Sequence, residues 1–118
     1  MSKTFIETSV FTVRWQRRGN DELLRRLQNE LLQSPDRGDP MPGCSILRKY
    51  RFADPSRGKG KRGGLRVIYL HTPAADWVHL LTVFGKDEQS DLSKQEMKQL
   101  CELAKLLRRE AERAAQRK

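Results

Sequence analysis

Apolar positions along this chain recur with two periods, and the changes between them mark its elements. Residues 4–7 (TFIE) suit a short first strand. From residue 9 to 18, Val10, Phe11, Val13 and Trp15 fit neither period cleanly. A helix beginning near Ser9 is the expectation, broken by Gly19 and Asn20. Asn20 is a good N-cap, and Asp21 and Glu22 put negative charge on the next first turn, where the helix dipole favours it. Leu23, Leu24, Leu27, Leu31 and Leu32 then recur at helical spacing. Their stripe should pack on a sheet, with Arg25, Arg26, Asn29 and Glu30 left in solvent. Ser34 and Pro35 end this helix, and residues 36–43 form a Pro/Gly-rich loop.

The period then falls to two. Residues 45–53 (SILRKYRFA) predict a strand with Ile46, Arg48, Tyr50 and Phe52 on one face and Leu47, Lys49, Arg51 and Ala53 on the other. Residues 54–63 are a loop of Pro, Gly and cations. Residues 64–71 predict a second strand, alternating Leu65, Val67 and Tyr69 against Arg66, Ile68 and Leu70. The short turn at 72–76 argues for antiparallel pairing with residues 77–84 (WVHLLTVF). That run is nearly all apolar, which predicts the central strand, buried on both faces. Ser93 and Glu96 stand at capping-box spacing, with Leu92 and Met97 at the staple positions. Met97, Leu100, Cys101, Ala104, Leu107 and Ala111 continue as the stripe of a last helix. Its charged end, about residues 109–118, is expected to fray.

The length of 118 residues suits one domain. Lys and Arg total 24 against 15 Asp and Glu, a formal charge of +9. That surplus concerns partners rather than fold: nucleic acid, an anionic membrane or an acidic protein. No run approaches the roughly 18 apolar residues of a membrane span, and residues 1–7 lack the apolar segment of a secretory signal. A cytoplasmic, reducing setting is the expectation. Cys44 and Cys101 are too few for a disulfide framework or a four-cysteine zinc site, and are expected as packing or surface thiols. No spacing calls for a metal or a cofactor. The glycine-rich run at 58–64 lacks Walker A spacing.

Three places could carry chemistry. Arg57, Lys59, Lys61 and Arg62 are interleaved with glycines, which presents backbone N–H groups and charge together and suits phosphates. The bland alternative is a solvated hairpin loop; the +9 charge favours contact with nucleic acid. Lys49 and Arg51 project from one strand face, and Arg66 on the same side would complete a phosphate clamp. Single strand cations otherwise decorate or protect an edge. Lys86, Asp87 and Glu88 follow the apolar strand at its exit, a common place for a site and also simply where a strand ends. His79, inside the apolar run, is expected as a hydrogen-bonded core residue; His71, at a strand end, is the better acid–base candidate.

The segments LRKYR at 47–51, GKGKRGG at 58–64, RVIY at 66–69 and LLTVFGKDEQSDL at 80–92, in that order and spacing, resemble the RelE/HigB toxins of bacterial type II toxin–antitoxin modules. The similarity is greatest to the HigB-2-like branch and runs over most of the chain. It implies an α+β fold in one domain over 1–118: two N-terminal helices packed on a twisted, mainly antiparallel sheet, plus a C-terminal helix. The element order above agrees. The resemblance also implies an mRNA endonuclease that works in the ribosomal A site. Its implied partners are a cognate antitoxin (HigA-like) that holds it inactive, the 70S ribosome and mRNA, with no membrane.

In this family the 2′-hydroxyl of the RNA attacks the adjacent phosphate. A base takes its proton, cations stabilise the charge on phosphorus, and an acid helps the leaving 5′-oxygen. Lys49 and Arg51 fall where the family has paired strand cations, Arg66 matches the arginine before its V-I-Y segment, and Lys86 the lysine after its glycine. Well-known members carry an arginine next and a tyrosine further on; Asp87 and Ser93 stand there instead. A lysine base must shed a charge held with a pKa of about 10.4, and neighbouring cations favour that loss. Lys49, beside Arg51 and Arg66, is therefore the expected base. Lys86 and Arg66 are the expected phosphate stabilisers, with Asp87, Glu88 and His71 as spare acid–base groups. Two rivals stand beside this reading. One is a non-catalytic RNA- or ribosome-binding module using the same basic face. The other is a DNA-binding regulator, against which the lack of a clear recognition helix counts.

Overall fold

Side-chain caps start all three helices. In the computed structural model, which describes residues 3–53, 64–85, 89 and 91–117, helix α1 (Ser9–Arg18) begins at Thr8, whose hydroxyl accepts from Phe11 N at 3.1 Å. Phe11 and Trp15, one turn apart, are buried, while Val10 and Val13 are about half exposed. That narrow stripe explains why the period is blurred in the sequence. Trp15 packs against Gly19, where a Cβ would lie 2.5 Å from the indole, and its Nε1 donates to Asn20 O at 3.2 Å. Helix α2 (Asp21–Gln33) begins at Asn20, whose side chain accepts from Leu23 N, and it buries Leu27 and Leu31. Helix α3 (Lys94–Gln116) opens with the reciprocal capping box of Ser93 and Glu96.

Five strands form one mixed sheet: β1 (Thr4–Glu7), β2 (Asp39–Met41), β3 (Cys44–Phe52), β4 (Leu65–Thr72) and β5 (Trp77–Gly85), in the order β1-β5-β4-β3-β2. β1 runs parallel to β5, and the other pairs are antiparallel. Alternation gives the sheet two apolar faces. Tyr50, Phe52, Leu65, Val67, Tyr69 and Leu80 pack with Phe11, Trp15, Leu27 and Leu31 of α1 and α2. Leu47, Ile68, Leu70, Leu81 and Phe84 pack with Ala104, Leu100 and Leu107 of α3. The architecture is the expected α+β arrangement.

Several expectations need correction. The centre of the sheet is β4, not β5, because β1 alone lies beyond β5 while β3 and β2 lie beyond β4. β5 is still buried along nearly its whole length, since strands flank it and helices cover both faces. It also carries a bulge: Ile68 pairs with Thr82 and Tyr69 with Leu80, leaving Leu81 extra. The expected loop at 36–43 contains β2, an edge strand that tolerates Pro40 because only one side needs a ladder. Cys44 and Cys101 are not thiols but a disulfide, 57 residues apart in sequence with Cα atoms 5.9 Å apart, within normal bridging reach. Helix α3 runs to Gln116. Ala111, seven residues after Ala104, continues the buried stripe. His79 is a core residue at 1% exposure, but its Nδ1 has no hydrogen-bond partner. No helix among the described residues is long and apolar enough to cross a membrane.

Candidate active site

Strand register decides where the cations stand. Arg51 lies directly opposite Arg66, and Lys49 lies opposite Ile68. Ile68 packs toward α3, so alternation puts Lys49, Arg51 and Arg66 on that same face. The structure therefore brings these three together at one end of the sheet.

Their settings differ. Arg51 is exposed, Lys49 is half-buried and Arg66 is only 5% exposed. Arg66 is opposite Phe84 on β5, and its Nη1 donates to Gly64 O at 3.4 Å. Burial first, and the like charge of Arg51 second, push the Arg66 pKa below its ordinary value. A guanidinium still keeps its proton at neutral pH. Charge held at a partly dehydrated position acts more strongly on a phosphate than charge in open water.

Lys49 has a carboxylate partner. Its Nζ donates to Asp91 Oδ2 at 3.3 Å. Asp91 stands just before the α3 cap, and two further contacts fix it. Its Oδ1 accepts from Leu92 N at 2.8 Å, and its backbone oxygen accepts from Gln89 Nε2 at 2.9 Å. Residue-by-residue reading of the sequence did not single out Asp91. The one available signal was its place in the SDL end of the 80–92 segment.

The remaining candidates fall into two groups. Arg57, Lys59, Lys61, Arg62, Lys86, Asp87 and Glu88 lie outside the described residues. Their flanks are informative: Leu65, which follows Gly64, pairs with Phe52 on one side and Gly85 on the other. These flanking residues stand at the end of the sheet that carries Arg51 and Arg66. His71 belongs elsewhere. It alternates with Leu70 and so faces away from α3, where its Nδ1 lies 3.2 Å from Asp36 Oδ1. Asp36 is paired in turn with Arg48 at 3.6 Å. The sheet separates His71 from the cations, which removes it as a spare acid–base group for them. Among the described residues no group of three or more His, Cys, Asp or Glu could hold a metal ion.

Comparison with known proteins agrees with this architecture. The chain of E. coli RelE in the intact RelBE toxin–antitoxin complex is 19% identical with a TM-score of 0.52, over 70% of this chain and 94% of that one. A double arginine-to-alanine mutant of free E. coli RelE is 18% identical with a TM-score of 0.55, over 76% of this chain and 90% of that one. Isolated E. coli RelE gives 16% and 0.53, over 86% and 99%. At such identities the likeness establishes the fold. The family model described as the RelE toxin of the RelE/RelB toxin–antitoxin system matches residues 7–117. Since that match spans nearly the whole sequence, this chain belongs to the RelE toxin family, the toxin component of a toxin–antitoxin module.

Proposed function

We propose that this RelE-family toxin is a ribosome-dependent mRNA endonuclease. It cleaves in the ribosomal A site by attack of a 2′-hydroxyl on the adjacent phosphate, and so stops translation in the cytoplasm. The observation that carries this reading is the register that sets Arg51 against Arg66, with Lys49 on the same face. Three cations on one face at one end of the sheet can neutralise the extra charge that builds on phosphorus in the transition state. Arg66 supplies the fixed, partly dehydrated charge, and Arg51 meets the RNA from solvent. Lys86 is the proposed further phosphate contact, with Asp87 beside it in sequence. Arg57, Lys59, Lys61 and Arg62 are the proposed grip on ribosomal or messenger RNA, and the ribosome supplies the remaining orientation.

The antitoxin of this module is proposed to be HigA-like, in line with the resemblance of the GKGKRGG and GKDEQSDL segments to the HigB-2-like branch. Neutralisation is proposed to cover or distort the basic face. The E. coli relative is itself found in a complex with its antitoxin.

The rival is a binding module that uses the same cations without cleaving. Substitution separates the two. Arg66→Ala and Lys49→Ala should each reduce cleavage on translating ribosomes by roughly 100-fold or more, as loss of a transition-state contact does. Ribosome affinity should fall far less. Affinity lost in step with each substitution, with no cleavage by the unaltered protein, would favour the binding module.

A further inference from the structure

The proposed reaction needs a group to take the 2′-hydroxyl proton, and the lysine expected for this is engaged. Lys49 Nζ donates to Asp91 Oδ2 at 3.3 Å, a contact made by an ammonium with a carboxylate. Arg51 and Arg66 are guanidinium groups that do not give up protons at neutral pH. His71 is across the sheet. Asp91, by contrast, touches Lys49 directly and is 54% exposed on its side chain.

We propose that Asp91 is the general base of this site and that Lys49 is its cationic partner on the phosphate; this rests on the nuclease reading above. The carboxylate is held for the task. Leu92 N fixes Oδ1 at 2.8 Å, the capping box fixes the chain just beyond, and Oδ2 faces Lys49. The 3.3 Å spacing also decides what Lys49 does. In an in-line displacement the attacking and leaving oxygens stand on opposite sides of phosphorus. A cation that already donates to the base stands with it, beside the attacking oxygen. Lys49 therefore works on the base's side, where its ammonium spans the carboxylate and a non-bridging phosphate oxygen.

The step balances with water alone. The 2′-oxygen bonds to phosphorus while its proton passes to Asp91. The bond from phosphorus to the 5′-oxygen breaks, and that oxygen takes a proton from water. The products are a 2′,3′-cyclic phosphate and a 5′-hydroxyl end. Asp91 then returns its proton to solvent.

The test is the pH–rate profile of cleavage by the full chain on translating ribosomes. Asp91→Asn keeps an oxygen for Leu92 N but cannot take a proton. Cleavage should drop by roughly 100- to 10,000-fold, the usual worth of a general base, and the acidic limb of the profile should vanish. Ribosome affinity and thermal melting should hold. Asp91→Glu should restore part of the rate together with the limb. Lys49→Met should lower the rate yet leave the limb in place, because it removes a charge and not the base. If Asp91→Asn cleaves within about threefold of the unaltered protein, with the same acidic limb, the assignment is overturned while the nuclease reading stands. If the unaltered protein does not cleave at all on translating ribosomes, the nuclease reading falls and takes the assignment with it.

Discussion

The buried hydroxyl of Tyr69 ties the loop after α2 to the sheet, donating to Pro35 O at 2.7 Å and accepting from Gly38 N at 3.0 Å. Burial raises its pKa, with Gly38 N opposing that shift. Tyr69→Phe leaves both backbone groups without this partner. It should cost about 1–3 kcal/mol, the usual penalty for an unsatisfied buried group, read by denaturant unfolding. His79 is the pH-sensitive residue of the core. Burial pushes its pKa below the ordinary 6.5, and Glu110 opposes that only in part. The folded chain thus binds this proton at lower pH than the unfolded chain does. The stability that depends on neutral His79 is complete above about 6.5 and is lost as pH falls through the folded value. Thermal melts from neutral to about pH 5 should fall more for the unaltered protein than for His79→Gln. At this scale the sequence was partly legible. Strand alternation already put Arg66 with Ile68 and apart from Tyr69, because a period of two needs no tertiary information. The Lys49–Asp91 contact was not legible, since it joins residues 42 apart and depends on how the chain returns from β5 to α3.

Among the elements, those with their own local chemistry were the plain ones. Asn20 and Ser93 announce α2 and α3 because a cap and its first turn lie within four residues. β2 was hidden: its three residues include Pro40, and it exists only because β3 offers an edge. The apolar run of β5 reported burial correctly, yet burial does not fix strand order, and β4 took the centre. The disulfide was equally hidden, because nothing local relates the first residue of β3 to the middle of α3. It now fastens α3 to the sheet near the start of the strand that carries Lys49 and Arg51. Reduction, or Cys101→Ser, should lower stability by about 2–4 kcal/mol, given the length of chain it closes. Melting with and without reductant checks this.

Across the whole molecule the formal charge is +9, and among the described residues part of it gathers at one end of the sheet. There Arg51 and Arg66 pair across β3 and β4, and Gly64, the last residue of the GKGKRGG segment, accepts from Arg66. Affinity for the ribosome should therefore weaken with salt. Replacing Arg57, Lys59, Lys61 and Arg62 by Gln should reduce the salt slope by about one for each cation that meets a phosphate. An unchanged slope would place those cations away from RNA. The central claim is that this charge serves cleavage and not binding alone. It is tested most directly by primer extension on a defined mRNA incubated with the pure protein, with and without translating ribosomes. Cuts within codons that appear only in the presence of translating ribosomes are the expected result. No cuts in either mixture, with a known ribosome-dependent toxin active alongside, would contradict it and leave a toxin that acts by binding.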